Sequence, residues 1–444
     1  MKATVQDISP VKKKLLVEID AEEVDKKLNQ AYGDIRKRVK IPGFRPGKAP
    51  RKILESYYGS QVRDDVTREL IADTFPKAIG ETNAFPLGQP VLEKESLRQG
   101  SNFTYTAILE VRPQFEVAGH LGVAVKKEIL SVTDEDVQKR LEEIRKANGR
   151  LTSIEENRPI REGDYVIIEY KGFENGQPIE GVHSSNFLVN VGRNDFHPKF
   201  DEGLIGFSKD DETEMVIDFE EDFYDTRLAG KRVHFQTKIF DVKELRLPEL
   251  DDAFARSLGS DFEDLEDLKN EIRKAITSQE EERIDRDVKQ RLLEKILEEV
   301  HFEIPQVLVE TETDFSVRRF TENLQRGGAS IEKMGFSDER LRQDFRPAAE
   351  KRVRELLVLE QIAKQEQIVL SEEDLEQGYT DLAQQMGQDV ETVKKYYEAR
   401  DLVEGFKEQL IREKTLNYLR EHAIINEVTK EELSQEMDQK GKEG

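Results

Sequence analysis

The chain is 444 residues long, enough for about three domains. It carries 69 Lys and Arg against 93 Asp and Glu, a net charge of −24, and only 36% of its residues are hydrophobic. So acidic a balance repels phosphate at long range and excludes general nucleic-acid binding as the default, while a Cys count of 0 excludes disulfides, thiolate nucleophiles and Cys-ligated metals.

Residues 1–115 read as a small α+β segment. Leu15, Val17 and Ile19 alternate with Leu16 and Glu18, which predicts a strand. Asp20-Ala21-Glu22-Glu23 is a capping signal, and Val24, Leu28, Ala31, Ile35 and Val39 then recur at helical spacing up to Ile41-Pro42-Gly43. Pro50 opens a short helix with Ile53, Leu54 and Tyr57, expected to stop near Gly59, and Val62, Val66, Leu70 and Ile71 predict a third helix. Phe103, Tyr105, Ala107, Leu109 and Val111 alternate without a fault, as a half-buried strand does.

Residues 116–150 are expected to be a connector. Its helix starts at Thr133, bears Val137, Leu141 and Ile144, and should stop at Asn148-Gly149 in a left-handed turn, forming a charged, semi-rigid spacer. Residues 151–245 turn to strand patterns: Tyr165 to Tyr170, Met215 to Phe219 and Val233 to Val242, with Asn175-Gly176 as a hairpin signal. From Leu247 to about Asn426 the pattern is helical. Leu265, Leu268, Ile272 and Ile276 form one stripe, and Val288, Leu292, Ile296 and Val300 a second. Further helices are predicted over 306–326, 340–366, 372–385 and 401–423, with cap signals at Ser260-Asp261-Phe262-Glu263 and Ser371-Glu372-Glu373-Asp374. Residues 431–444 read as a frayed polar tail.

The sharpest local feature is a run without any Asp or Glu that contains Arg36, Lys37, Arg38, Lys40, Arg45, Lys48, Arg51 and Lys52. Inside it lies Gly43-Phe44-Arg45-Pro46-Gly47-Lys48-Ala49-Pro50, a rigid loop that would hold Phe44 and Arg45 outward between two helices. An exposed aromatic beside cations suits docking on an acidic or phosphate-rich surface, and a basic helix end that merely complements the helix dipole is the equal alternative. A nucleotide-binding P-loop is excluded: the spacing from Gly43 to Gly47-Lys48 is one short, and Ala49 stands where Ser or Thr would hold magnesium. The six His residues, His120, His183, His197, His234, His301 and His422, show no metal-ligand spacing, so neither a metal nor a cofactor is expected.

Taken together, the Gly43-Phe44-Arg45-x-Gly47-Lys48-x-Pro50 loop, the α+β start, the β centre and the long helical end resemble the bacterial trigger factor family over nearly the whole chain. The centre resembles FKBP-type peptidyl-prolyl isomerases through Gly163-Asp164, Tyr170-Lys171-Gly172, Gly176-x-x-Ile179-Glu180, Pro198-x-Phe200-x-x-Gly203-Leu204 and Leu228-Ala229-Gly230-Lys231. Leu247-Pro248-Glu249-Leu250-Asp251, at the exit from that domain, also resembles the family.

The resemblance implies a multidomain α+β protein. It would comprise a ribosome-binding domain at 1–115, a connector at 116–150, an FKBP-like antiparallel β domain at 151–245, an elongated all-α chaperone domain at 246–430 and a tail. It implies a cytoplasmic chaperone that sits on the ribosome by the exit tunnel, contacts ribosomal protein and RNA, and shields nascent and unfolded polypeptides for folding or export. It would isomerise X-Pro bonds without a cofactor or a membrane, and a homodimer off the ribosome is an open alternative. The implied ribosome contacts are Phe44, Arg45 and Lys48, shaped by Gly43 and Gly47, with Lys48 and Arg51 standing in for the basic residue that Pro46 replaces. The implied isomerase pocket is Tyr170, Ile179, Glu180, Phe187, Phe196, His197, Phe200, Phe223, Tyr224 and Phe235. Ile179 replaces a pocket aromatic, Val182 a second Gly and Lys199 a Gly, so a binding-only chaperone with a weak or inactive pocket is the alternative. Phe315, Val317, Phe320, Leu324, Met334, Phe336 and Met386 are candidate client contacts, against ordinary helix packing.

Overall fold

The computed structural model describes residues 1–45, 47–156, 158–259, 262–327 and 336–435. Pro46, Ser260, Asp261, Met334 and the end of the tail lie outside them. The chain divides into one unit of residues 1–128 with 285–444 and another of residues 129–284.

The first unit begins with β1 (Lys2–Ser9), β2 (Lys12–Ile19), α1 (Ala21–Arg38), α2 (Arg51–Thr82), β3 (Val91–Lys94) and β4 (Phe103–Glu110). The strands form an antiparallel sheet in the order β1-β2-β4-β3. Leu15, Val17 and Ile19 of β2 and Phe103, Tyr105, Ala107 and Leu109 of β4 share its inner face. Against them pack Val24, Leu28 and Tyr32 of α1 and Leu54, Val62, Val66 and Leu70 of α2. The expected break at Gly59 does not occur: α2 runs through it as one helix. Gly in a helix costs roughly 0.5–1 kcal/mol. Here Gly59 is buried inside the helix, where a Cβ would stand 3.3 Å from Arg63 Nη1 of α2 and 3.6 Å from the Tyr32 hydroxyl of α1, so packing on both helices overrides the local preference. The short β5 (Ala124–Glu128) closes this part.

The second unit opens with α3 (Asp134–Ala147), capped by Thr133, whose side chain accepts from Asp136 N–H. This helix is not a free spacer. Val137 and Leu141 are buried with Phe254 and Ala255 of α5 (Asp252–Leu258) and with Leu268 and Ile272 of α6 (Leu265–Glu299). Nor does it end in a left-handed turn. Asn148 has φ −97°, and Gly149 is needed because a Cβ there would stand 2.7 Å from Leu245 Cδ1. Between α3 and α5 lie β6 (Arg150–Ser153), β7 (Tyr165–Glu174), β8 (Gln177–Asn190), the short α4 (Pro198–Glu202), β9 (Glu212–Asp218) and β10 (Arg232–Arg246). The central β10 pairs antiparallel with β7 on one side and with β6 and β9 on the other, and β8 pairs with β7. Asn175 and Gly176 turn the β7–β8 hairpin at φ 50° and 82°.

Both apolar stripes lie on the single helix α6, except Val300 just past its end, and residues from 285 on belong to the first unit. There follow α7 (Gln306–Arg326), α8 (Asp338–Gln365), α9 (Glu372–Met386), α10 (Val390–Ala399) and α11 (Val403–Glu421). Leu293 and Ile296 of α6, Val358, Leu359 and Ile362 of α8 and Leu419 of α11 form one core, joined by Val117. A smaller core holds Tyr379, Ala383, Val393 and Phe406 of α9, α10 and α11. The helical reading does not reach Asn426. After His422 the chain becomes β11 (Ile424–Val428), which pairs parallel with β5. The tail starts as a helical turn over 430–435 with Leu433 buried. Among the described residues no helix is long and apolar enough to cross a membrane.

Candidate docking loop and aromatic pocket

The basic run spans the end of α1 and the start of α2. Arg36, Lys37 and Arg38 fill the last turn of α1, where cations meet the negative end of the helix dipole. The intervening loop is pinned at both ends by buried Ile41 and Ala49. Phe44 N–H donates to Ile41 O at 3.1 Å, and Lys48 N–H donates to Arg45 O at 2.9 Å. Gly43 (φ 86°) and Gly47 (φ 76°) take the left-handed conformations that these turns require. Between them the Phe44 side chain is 39% exposed and absent from the core, and Arg45 and Lys48 are exposed. Arg51 faces inward instead. Its guanidinium lies over the Tyr32 ring at 4.3 Å, donates to Glu55 at 2.7 Å and also reaches Asn29.

In the second unit the sheet supports a cluster of aromatic rings. Phe200 on α4 and Phe235 on β10 are fully buried, 5.4 Å apart and nearly perpendicular. Tyr170 on β7 meets both edge-on at 6.0 Å, and Phe187 on β8 meets Tyr170 at 5.4 Å. Phe196 touches Phe200 at 5.1 Å and Phe235 at 5.9 Å. Next to Phe196, at 6.3 Å, stands the half-buried Phe223, and 4.4 Å from Phe223 the 70% exposed Tyr224. Such edge-to-face contacts each add about 0.5–1.5 kcal/mol beyond area burial.

The Asp201 carboxylate is 2% exposed and accepts from Gly192 N–H and Asn194 N–H, both at 2.9 Å, which ties down the loop leading to Phe196 and His197. His197 Nδ1 accepts from Lys199 N–H at 3.2 Å and caps α4. Burial, and after it Lys199, hold the His197 imidazole below its ordinary pKa. Burial raises the phenols of Tyr170 and Tyr224 above their ordinary pKa.

Residues 1–144 match the model of the bacterial trigger factor protein, 264–421 that of its C-terminus, and 156–244 that of the FKBP-type peptidyl-prolyl cis-trans isomerases. Trigger factor of Geotalea daltonii is 35% identical over 434 residues, covering 98% of this chain and 100% of that one. The chain belongs to the trigger factor family. Trigger factor of Caldicellulosiruptor bescii is 37% identical over 414 residues, covering 92% of this chain and 94% of its own. A solved trigger factor chaperone shares the fold at a TM-score of 0.52 and 22% identity, over 94% of this chain and 99% of that chain.

Within this trigger factor, the rings of Tyr170, Phe187, Phe196, His197, Phe200, Phe223, Tyr224 and Phe235 join one network. Ile179 packs partly buried against the same core, whereas Glu180 is exposed and outside the ring contacts. Phe219, which the resemblance does not name, also joins the network. It is 4.6 Å from Phe223, 5.2 Å from His197 and 6.0 Å from Phe196. Its signal was present: Met215, Ile217 and Phe219 alternate onto one buried face. Among the candidate client contacts, Phe315 and Met386 are 51% and 48% exposed. Val317 is buried in ordinary packing, Phe320 packs on Phe336 and Phe345, and Met334 lies outside the described residues.

Proposed function

We propose that this trigger factor docks on the ribosome through the Phe44 loop, shields emerging chains and isomerises their X-Pro bonds. The observation that carries the docking is the half-exposed Phe44 ring, held out by two left-handed glycines among cations of an otherwise anionic protein. An aromatic anchor supplies desolvated contact, and the cations supply attraction to ribosomal RNA and acidic protein. The cytoplasm is the corresponding workplace. Exposed Phe315, beside Asp314, and exposed Met386, between Gln385 and Gly387, suit weak and reversible contacts with unfolded clients.

The isomerase reading rests on the ring network. An X-Pro amide is planar by resonance, and rotation costs roughly 18–20 kcal/mol. In the twisted state resonance is lost. Apolar surroundings disfavour the polarised planar amide, and fitted contacts favour the twisted one. Buried Phe200 and Phe235, walled by Tyr170, Phe187, Phe196 and Phe223, provide such surroundings without a nucleophile.

Two experiments test these readings. Ribosome co-sedimentation of a Phe44→Ala, Arg45→Ala variant should fall well below wild type, and equal binding would refute the docking. Full-length protein should accelerate proline-limited refolding at micromolar concentration. No acceleration would leave a binding-only chaperone.

A further inference from the structure

The loop over 220–230, between β9 and β10, carries Phe223 and Tyr224. It is closed at its neck by Gly230 N–H to Glu220 O and Phe219 N–H to Lys231 O, both at 2.9 Å. Facing it, β8 leaves its register. Lys171 pairs with His183 and Phe173 with Pro178, so residues 179–182 bulge opposite Gly172. That bulge carries Ile179, which packs partly buried against the aromatic core, and the exposed Glu180, so loop and bulge both border the rings.

Arg227 joins the two walls. Its Nη1 donates to Gly181 O at 2.8 Å, while Nε and Nη2 donate to the Asp225 carboxylate at 3.0 Å and 2.7 Å. Asp225 is itself held, because its side chain accepts Arg227 N–H at 3.0 Å and its carbonyl accepts from Leu228 and Ala229. Gly181 has φ 77°, and a Cβ there would stand 2.6 Å from Nη1, so the contact needs glycine at the bulge. An exposed ion pair contributes only about 0–1 kcal/mol to folding. The Arg227 side chain is 53% exposed, so this fork between loop and bulge contributes little to folding while it fixes where the two lie.

We propose that Arg227 is a positioning residue for X-Pro isomerisation. It clips the loop bearing Phe223 and Tyr224 onto the β8 bulge bearing Ile179 and Glu180, and so sets the gap that receives the residue before proline. Its guanidinium is taken up by Asp225 and Gly181 O, so it acts through the walls. The inference rests on the isomerase reading and adds a determinant of selectivity for the residue X. Lysine is a point donor and cannot hold the Asp225 carboxylate and the Gly181 carbonyl with the same fork.

The test uses full-length protein and short peptides differing only in X before proline: Ala, Leu or Phe. Arg227→Ala should lower kcat/KM by about tenfold or more, as misplacement of a binding wall does. The loss should differ among the three peptides, and the melting curve should stay at wild type. Arg227→Lys should recover part of the rate, and Asp225→Asn should repeat the change in peptide preference. Unchanged kcat/KM for every X in Arg227→Ala overturns the clip while leaving the isomerase reading intact. An equal loss for all three peptides, together with a lowered melting temperature, also overturns it, since that is plain destabilisation. A wild-type protein inactive on every peptide overturns the isomerase reading and the clip with it.

Discussion

Gly172 and Val182 occupy one space: a Cβ on Gly172 would stand 2.6 Å from Val182 Cγ1 and 3.3 Å from the Phe235 ring. The valine on the bulge therefore depends on the glycine beneath it on β7. Overpacking a core costs typically about 1–3 kcal/mol. Gly172→Ala should destabilise the second unit by that order and lower isomerase activity through Phe235. The double variant Gly172→Ala, Val182→Ala should regain much of the loss. Denaturant unfolding with a double-mutant cycle measures this, and additive losses would contradict the shared space.

What local sequence carried, and what it could not, follows from the range of the interactions. The alternation of Phe103 to Leu109, the Asn175-Gly176 turn and the Thr133 and Ser371 caps are decided within a few residues, and each is found in the structure. Gly59 reads locally as a stop, but it is buried in mid-helix beside Arg63 and the distant Tyr32. Ile424 and Ile425 read as a helix end, because their partners Ala124 and Val125 lie far away in the chain. The site divides in the same way. The family motifs name most of the rings, but Arg227 was silent, since its role depends on Gly181, whose carbonyl only the fold brings near.

The docking loop separates an apolar from an electrostatic contribution. Phe44→Ala should weaken ribosome binding by roughly 2 kcal/mol, about thirtyfold, with little change in salt dependence. Arg45→Ala should instead reduce the slope of log affinity against log salt by about 1 if it meets a phosphate. Arg51→Ala should leave that slope unchanged, because its guanidinium is committed to Tyr32, Glu55 and Asn29. Binding assays over a salt series distinguish the three, and equal slopes for wild type and Arg45→Ala would remove the phosphate contact.

His197 makes the pocket sensitive to acid. Only a neutral imidazole offers Nδ1 as the acceptor for Lys199 N–H. Burial first, then Lys199, depress its native pKa below the ordinary 6.5, while Glu220 and Glu202 oppose the shift. The unfolded chain therefore binds a proton more readily than the native one. Stability is fully present above 6.5 and is lost as pH falls from there through the lower native value. Asn also caps helices but does not titrate. In His197→Asn, both the melting temperature and the isomerase rate should depend less on pH below 6.5 than in wild type. Identical pH profiles would exclude His197 as the titrating cap.

Acid should loosen the start of α9 at a lower pH. Asp374 accepts from Ser371 N–H and Oγ at 2.9 Å and 2.8 Å, and from Lys414 Nζ at 2.5 Å. The Lys414 bond first, then those from Ser371, bring its carboxyl from 3.8 down to about 2. The native state thus binds the proton less tightly than the unfolded state. The stabilisation is complete above 3.8 and disappears as pH falls toward about 2. Asp374→Asn should speed amide exchange in α9 at neutral pH. The difference from wild type should shrink as pH approaches about 2, where the wild-type carboxylate is itself protonated. Amide hydrogen exchange resolved to α9 reads this locally, and a difference that stays constant down to that pH would show that the carboxylate charge is not what anchors the helix start to Lys414.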